Sequence, residues 1–116
     1  MLLAPESSVY NDKDLVATGT DDDGNPAHVK IEANTDLSNF AYNIVADGDI
    51  TLVSHNGNIL NSAILESHKG NISLTAENGA VGNQKTGYAG NTYINGGDIV
   101  AMEGSVTLTA GGAAGS

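Results

Sequence analysis

The stretch at residues 48–59, GDITLVSHNGNI, is the main evidence for the fold, because a similar stretch, GNISLTAENGAV, begins 22 residues later. The two surrounding 22-residue blocks share six residues at equal positions: Gly48/Gly70, Ile50/Ile72, Leu52/Leu74, Asn56/Asn78, Gly57/Gly79 and Asn61/Asn83. Similarity at a fixed period of this length indicates a repeat architecture, in which each repeat buries its apolar face against its neighbours.

Short alternating runs dominate the chain from residue 27 onwards. Each run has three to six residues, is rich in β-branched types and is bounded by Gly, Asn or Asp, as in HVKIEA, DITLVS and NISLTA. This pattern is typical of strands and turns. Two or three strands in each period predict an all-β, right-handed parallel β-helix (a solenoid) with coils of about 22 residues.

The rival structure is an antiparallel β-meander or sandwich. Asn-Gly at 56–57 and at 78–79 is typical of two-residue hairpins and favours this alternative. Hairpins give no reason for the Asn and apolar positions to share one period, so the parallel β-helix is the favoured prediction.

The repeat assigns side chains to positions within each coil. Alternation along the strands predicts eight core residues: Ile50, Leu52, Ile59, Ile72, Leu74, Val81, Val106 and Leu108. Two asparagine columns are predicted to form ladders at turns, where Asn tolerates left-handed backbone and amides can bond between coils: Asn34, Asn56 and Asn78, and Asn39, Asn61 and Asn83.

The repeat also predicts the domain organisation. Residues 1–24 are expected to be an irregular segment or cap, 25–112 the repeats, and 113–116 a flexible tail. GSVTLTAGG at 104–112 matches GNISLTAEN at an offset of 34, about twelve residues beyond one period, so an insertion is predicted at about 82–97.

Charge and composition exclude several classes of partner. The formal net charge is −10 with only four Lys and no Arg, which argues against nucleic acid and against anionic membranes. No run approaches the roughly 20 apolar residues of a membrane span, so membrane insertion is not expected.

Cys is absent, which excludes disulfides and thiolate metal sites. The first four residues, MLLA, are too short for a signal peptide, so a signal is expected to lie outside this chain.

The phrases GDITLVSHNGNI, GNISLTAENGAV and GSVTLTAGG resemble the haemagglutinin-type repeats of large secreted bacterial exoproteins, such as filamentous haemagglutinin and related two-partner-secretion adhesins. The matching elements are the Gly-Asx-Ile-Thr/Ser-Leu strand start and the following Asn-Gly turn, over roughly residues 44–112. The resemblance implies a rod-like β-helix at the cell surface or released from it, with a role in adhesion.

Candidate site residues are few. The acidic run DDDGN offers Asp21, Asp22 and Asp23 as oxygen ligands for Ca²⁺, with a solvated acidic turn as the alternative and no other cofactor expected. In the insertion, Tyr88, Asn91 and Tyr93 are a candidate contact site for carbohydrate or protein, with a decorated surface loop as the alternative.

Enzymatic chemistry finds little support in the residue pattern. The three histidines lack ligand-like spacing, and no Gly-x-Ser-x-Gly elbow is present. The carboxylates Asp47, Asp49, Glu66 and Glu77 are spread over different turns. We therefore expect a non-catalytic structural or adhesive module, extracellular or on the cell surface. Its partners would be neighbouring repeats, copies of itself, or a surface glycan or protein. The alternatives are a filament subunit that stacks by strand addition and a polysaccharide-processing β-helix fragment.

Overall fold

The computed structural model of the protein describes residues 2–4, 8–11, 14–39, 43–61, 64–83, 88–89, 92–93 and 99–111. This part of the chain is all-β and has no helix. Its strands are β1 (Leu2–Ala4), β2 (Val9–Asn11), β3 (Leu15–Ala17), β4 (Val29–Ala33), β5 (Leu37–Asn39), β6 (Asn43–Ala46), β7 (Ile50–Ser54), β8 (Ile59–Asn61), β9 (Ile64–Ser67), β10 (Ile72–Ala76), β11 (Val81–Asn83), β12 (Tyr88–Ala89), β13 (Thr92–Tyr93), β14 (Ile99–Ala101) and β15 (Val106–Ala110).

Three parallel sheets form the walls of a solenoid. Their strand orders are β1-β4-β7-β10-β15, β2-β5-β8-β11 and β3-β6-β9-β14. One strand from each sheet makes a coil: coil 1 holds β1–β3, coil 2 holds β4–β6, coil 3 holds β7–β9, coil 4 holds β10, β11 and β14, and β15 starts coil 5. The predicted parallel β-helix is confirmed. Parallel crossovers within one sheet are right-handed in about 98% of cases, so a right-handed coil stays the prediction.

The register between coils follows the sequence repeat. Ile72 lies between Ile50 and Val106, and Leu74 lies between Leu52 and Leu108. Coil 2 departs from the 22-residue period by one residue, because Val29 pairs with Ile50 at an offset of 21. The hairpin alternative is wrong for the repeats, since antiparallel pairing among the described residues is confined to β12–β13 and a Thr20–Pro26 bridge.

The interior is a column of aliphatic side chains. Its buried apolar members are Val29, Ile31, Ala33, Leu37, Ile44, Ala46, Ile50, Leu52, Ile59, Leu65, Ile72, Leu74 and Ala76. The burial pattern of β4, β7 and β10 alternates residue by residue, which is the mark of a strand with one face in the core. The solenoid therefore stabilises itself by stacking like side chains at the spacing of the strands.

The predicted core residues fall into three groups. Ile50, Leu52, Ile59, Ile72 and Leu74 are buried, and Val81 is half-buried and packs against the core. Val106 and Leu108 differ from the prediction, since they are 44% and 51% exposed. They continue the inward columns, but β15 is the outermost described strand of its sheet, so nothing in the described chain covers them.

Residues 1–24, predicted as an irregular segment or cap, are more regular than the first of these alternatives. They contain the three strands of coil 1, which pair in register with coil 2, as in Leu2 with Ile31. Paired residues of coils 1 and 2 are 28–29 positions apart rather than 22, because the loop at 18–28 is longer than the corresponding turns of the later coils. The Thr20–Pro26 bridge closes this loop. Gly24 has a φ of 80° in this loop, a conformation that favours glycine.

The predicted insertion at about 82–97 interrupts coil 4. It contains the two-stranded hairpin β12–β13, in which Tyr88 pairs with Tyr93 and Ala89 with Thr92. Its remaining residues from 84 to 97 lie outside the described residues, and so does the predicted tail at 113–116.

Candidate functional site

An asparagine ladder runs through the interior of the solenoid. The Asn11 amide Nδ2 donates to Asn39 Oδ1 at 2.8 Å, and Asn39 Nδ2 donates to Asn61 Oδ1 at 2.8 Å. The backbone of Asn83 continues the register above Asn61. The prediction placed this column at turns, whereas its members end short strands, and Asn39 and Asn61 are buried in the interior. The alternation Leu37-Ser38-Asn39 carries that signal, since Leu37 and Asn39 must share a face.

A second asparagine ladder lies outside, at the turn where it was predicted. Asn56 Nδ2 donates to Asn34 Oδ1 at 2.7 Å, and Asn78 Nδ2 donates to Asn56 Oδ1 at 3.4 Å and to the His55 carbonyl at 2.8 Å. The expected left-handed backbone is wrong, because among the described residues only Gly19 and Gly24 have positive φ. Asn is needed at this turn for its amide.

Two further columns of Asp and Asn bond side chain to backbone between coils. The Asn58 and Ala80 backbone N–H groups donate to Asp36 Oδ1 and Asn58 Oδ1, both at 2.9 Å. At another turn, the Asn71 N–H donates to Asp49 Oδ1 at 2.7 Å, and Ser105 N–H donates to Asn71 Oδ1 at 2.9 Å. Sequence reasoning noted the Asp49/Asn71 match but missed this role. These bonds satisfy turn donors that no strand partner reaches.

The first titratable cluster on the outer surface centres on His55, which follows β7. Its Nε2 lies 2.5 Å from Glu32 Oε2 on coil 2, and its Nδ1 lies 3.0 Å from Glu77 Oε2 on coil 4. The Lys30 ammonium lies 3.8 Å from Glu32 on the same strand. The histidine is thus held between acids from the coil below and the coil above.

The second titratable cluster centres on His68, which follows β9. Its Nδ1 lies 2.7 Å from Asp47 Oδ1, and its Nε2 lies 2.9 Å from Glu66 Oε2. The other carboxylate oxygen of Asp47 accepts the Gly19 backbone N–H at 2.7 Å. Asp47 therefore links Gly19, which follows the last strand of coil 1, to the end of coil 3.

Hydrogen bonding shifts the pKa values of both histidines and of one carboxylate in each cluster. The bonds to Glu32 and then Glu77 raise the pKa of His55, and those to Asp47 and then Glu66 raise the pKa of His68. In turn His55 lowers the pKa of Glu32, and His68 lowers that of Asp47 with help from the Gly19 N–H. Both clusters favour a charged imidazolium beside charged carboxylates.

A shallow groove of about 440 Å³ lies where the 18–28 loop meets the turns of coils 3 and 4. Its lining residues are Asp21, Asn25, Pro26, His28, Gly48, Asp49, Lys69 and Gly70. Carboxylates, an imidazole and an ammonium face the same space, so its polar groups carry both signs of charge.

The acidic run DDDGN forms the tip of the 18–28 loop. Asp21 Oδ1 accepts the backbone N–H groups of Asp23 and Asn25 at 2.9 and 3.0 Å, which fixes the turn, while Asp22 and Asp23 are exposed. In the described part of the chain, no group of three or more His, Asp or Glu side chains is arranged to hold a metal ion. A Ca²⁺ site at these three aspartates stays a prediction.

The predicted binding residues of the insertion are placed only in part. Tyr88 and Tyr93 occupy paired positions on β12 and β13, and Asn91 lies outside the described residues. Residue spacing in the sequence did not predict the two histidine clusters, because their members meet only after the coils stack. The offset of 21 that stacks β9 on β6 is the signal that places His68 over Asp47.

Comparisons with family models, with curated proteins and with solved structures gave no match. Within the described residues, no helix is long and apolar enough to cross a membrane. The fold and its cross-coil columns define the class of the chain, an all-β parallel solenoid.

Proposed function

We propose that this chain is a non-catalytic structural and adhesive module, a stiff solenoid segment of an extracellular or cell-surface bacterial protein. The observation that carries the proposal is the set of hydrogen-bonded columns joining successive coils, from the buried Asn39–Asn61 pair to the outer Asp49–Asn71 pair. Such columns resist separation of the coils at many points at once. A scaffold that holds a binding surface at a distance from its point of attachment requires coils that resist separation.

The location of the binding surface follows from the interruption of coil 4. Repeats contact only their neighbours, so an insertion can leave the stack without disturbing it. The insertion at 82–97 carries Tyr88, Asn91 and Tyr93, residue types that suit contact with sugar rings or a protein surface. The resemblance to haemagglutinin-type repeats is consistent with adhesion.

A deletion separates the scaffold from the binding surface. Removing residues 84–95 takes out twelve residues and restores the 22-residue period between β10 and β15. We expect the full chain on beads to bind a panel of surface glycans and matrix proteins, and the deletion variant to melt normally but lose binding. Absence of binding by the full chain, or equal binding by the variant, would refute an adhesive role for the insertion. Incubation with acidic polysaccharides should release no cleavage products.

The uncovered edge of coil 5 favours a second function, self-assembly by strand addition. Val106 and Leu108 extend the core columns yet are exposed, and β15 has an open hydrogen-bonding edge among the described residues. β1 lies at the opposite edge of the same sheet, so copies would stack head to tail.

Sedimentation velocity over a range of concentrations tests this second function. We expect species larger than the monomer, reduced by Leu108→Asp, which places a charge on the inward column. Thr107→Asp on the outward face of the same strand is the matched control and should have less effect. A monomer at every concentration excludes the filament.

A further inference from the structure

Three successive coils each contribute one side chain to the His55 cluster. Glu32 belongs to coil 2, His55 to coil 3 and Glu77 to coil 4, with nitrogen–oxygen distances of 2.5 and 3.0 Å. In the His68 cluster, Asp47 follows the last strand of coil 2, whereas His68 and Glu66 belong to coil 3. The distances from the imidazole nitrogens to the carboxylate oxygens of Asp47 and Glu66 are 2.7 and 2.9 Å. These clusters bridge the same coils that hold the buried core.

The geometry of both clusters requires a particular protonation state. An ionised carboxylate can only accept hydrogen bonds, so a ring nitrogen facing it must carry a proton. Each of the two rings faces a carboxylate at both nitrogens and therefore needs both protons. A neutral imidazole has one N–H and would turn a lone pair towards its second carboxylate.

We propose that the Glu32–His55–Glu77 and Asp47–His68–Glu66 clusters are proton-dependent cross-links, which lock coils 2 to 4 together in mildly acidic surroundings and release them as the pH rises. This inference concerns regulation of the scaffold's stiffness and does not depend on what the module binds. It makes the stability of the stack respond to pH in the range where histidine titrates.

The surrounding charges reinforce the two cross-links. Around His55, coil 2 supplies Glu32 with Lys30 beside it, and coil 4 supplies Glu77. Around His68, the acids are Asp47 and Glu66, and Lys69 acts on Asp47 from the next position along the chain. Coil 4 places Met102, which is uncharged, above His68. Each imidazole contacts two carboxylates and has a single lysine nearby, so the surrounding charge favours the protonated ring.

The sign of the pH dependence follows from the histidine shifts. Both histidines have pKa values raised above 6.5 in the folded state. Their contribution to stability is therefore complete below about pH 6.5 and is lost as the pH rises through the raised values. His55 should have the larger effect, since both of its partners lie on other coils, whereas Glu66 lies on the same coil as His68.

Thermal unfolding of the full chain between about pH 5.5 and pH 9 tests the proposal. We expect the Tm of the wild type to fall across this range, and most of that fall to disappear in the double variant His55→Gln/His68→Gln. His28→Gln is the control for a His-to-Gln substitution outside the clusters: His28 is an exposed residue of the 18–28 loop. This control should keep the wild-type slope. An unchanged slope in the double variant, or equal flattening by His28→Gln, would overturn the cross-link.

A titration of the wild-type protein keeps the test valid if a variant fails to fold. Proton and nitrogen NMR of the imidazole rings reports the pKa and the protonation of each nitrogen. We expect His55 and His68 to titrate above 6.5, with both nitrogens protonated below that point. Titration of either ring at or below 6.5 would overturn its cross-link, and slower amide exchange in coils 2 to 4 at acidic pH, corrected for the intrinsic rate, would support it.

Discussion

The Asn39 amide donates a hydrogen bond of 2.8 Å to Asn61 Oδ1 at a point where neither residue has any exposed surface. Asn39 also accepts from Asn11, so one side chain links three coils. Buried amides of this kind are tolerated only when they are hydrogen-bonded, and a stack of identical amides provides partners at the spacing of the strands. The ladder therefore favours one register between coils.

Replacing Asn39 by alanine should destabilise the solenoid by about 1–3 kcal/mol, because Asn11 and Asn61 each lose a buried partner. The matched control is Asn56→Ala in the outer ladder, where water can replace the amide, and its effect should stay within about 0.5 kcal/mol. Urea unfolding of both variants measures the difference. Equal destabilisation would show that burial does not distinguish the two ladders.

Leu52→Ala should lower the free energy of unfolding by about 2–5 kcal/mol, since Leu52 is fully buried between two neighbouring coils. The same substitution at Leu108 removes a side chain that is 51% exposed, and should cost about 1 kcal/mol or less. Denaturant melts of dilute protein compare them. If Leu108→Ala proved as damaging as Leu52→Ala, the β15 edge would be covered in solution, as stacking between copies requires.

The repeat in the sequence was enough to predict the central coils. The shared phrases aligned Ile50 with Ile72 and Leu52 with Leu74, and the structure places these pairs side by side. Coil 1 escaped prediction because the extra residues of the 18–28 loop break its period, and because β1, β2 and β3 have only three residues each. A period can be read only where insertions leave it intact.

Gly70→Ala should destabilise the protein by about 1–3 kcal/mol because two coils touch at this turn. A Cβ at Gly70 would lie 2.5 Å from the backbone nitrogen of Asp49, so the coils would have to separate. The control is Gly82→Ala, whose Cβ would meet the Leu60 side chain at 3.4 Å, an ordinary contact. Its expected change is within about 0.5 kcal/mol. Thermal melts of the two variants should differ clearly, and equal melting temperatures would contradict the close approach at Gly70.

The histidine clusters were beyond sequence reasoning for a geometrical reason. Glu32 and His55 are 23 residues apart, and Asp47 and His68 are 21 apart, so neither pair follows the 22-residue period read from the repeated phrases. Asp47 and His68 meet because they follow strands that pair at an offset of 21, and Glu32 meets His55 because it pairs with Val53, two residues earlier. Residue types and spacing along one chain do not specify such contacts until the register of every sheet is known.

Asp47→Asn should weaken the protein most at about pH 5–6 and progressively less as the pH falls below 3.8. The bonds from His68 and from the Gly19 N–H lower the pKa of Asp47 below its usual 3.8. A lowered carboxyl pKa contributes stability that is complete above the unfolded value and is lost as the pH falls through the folded one. The gap in stability between wild type and variant should therefore close on acidification.

Urea melts at several pH values measure that gap. Asp22→Asn, which removes an exposed charge from the 18–28 loop, is the control and should show a small effect at each pH. A gap that stays constant as the pH falls below 3.8 would show that the Asp47 charge contributes nothing and that only the shape of the side chain matters.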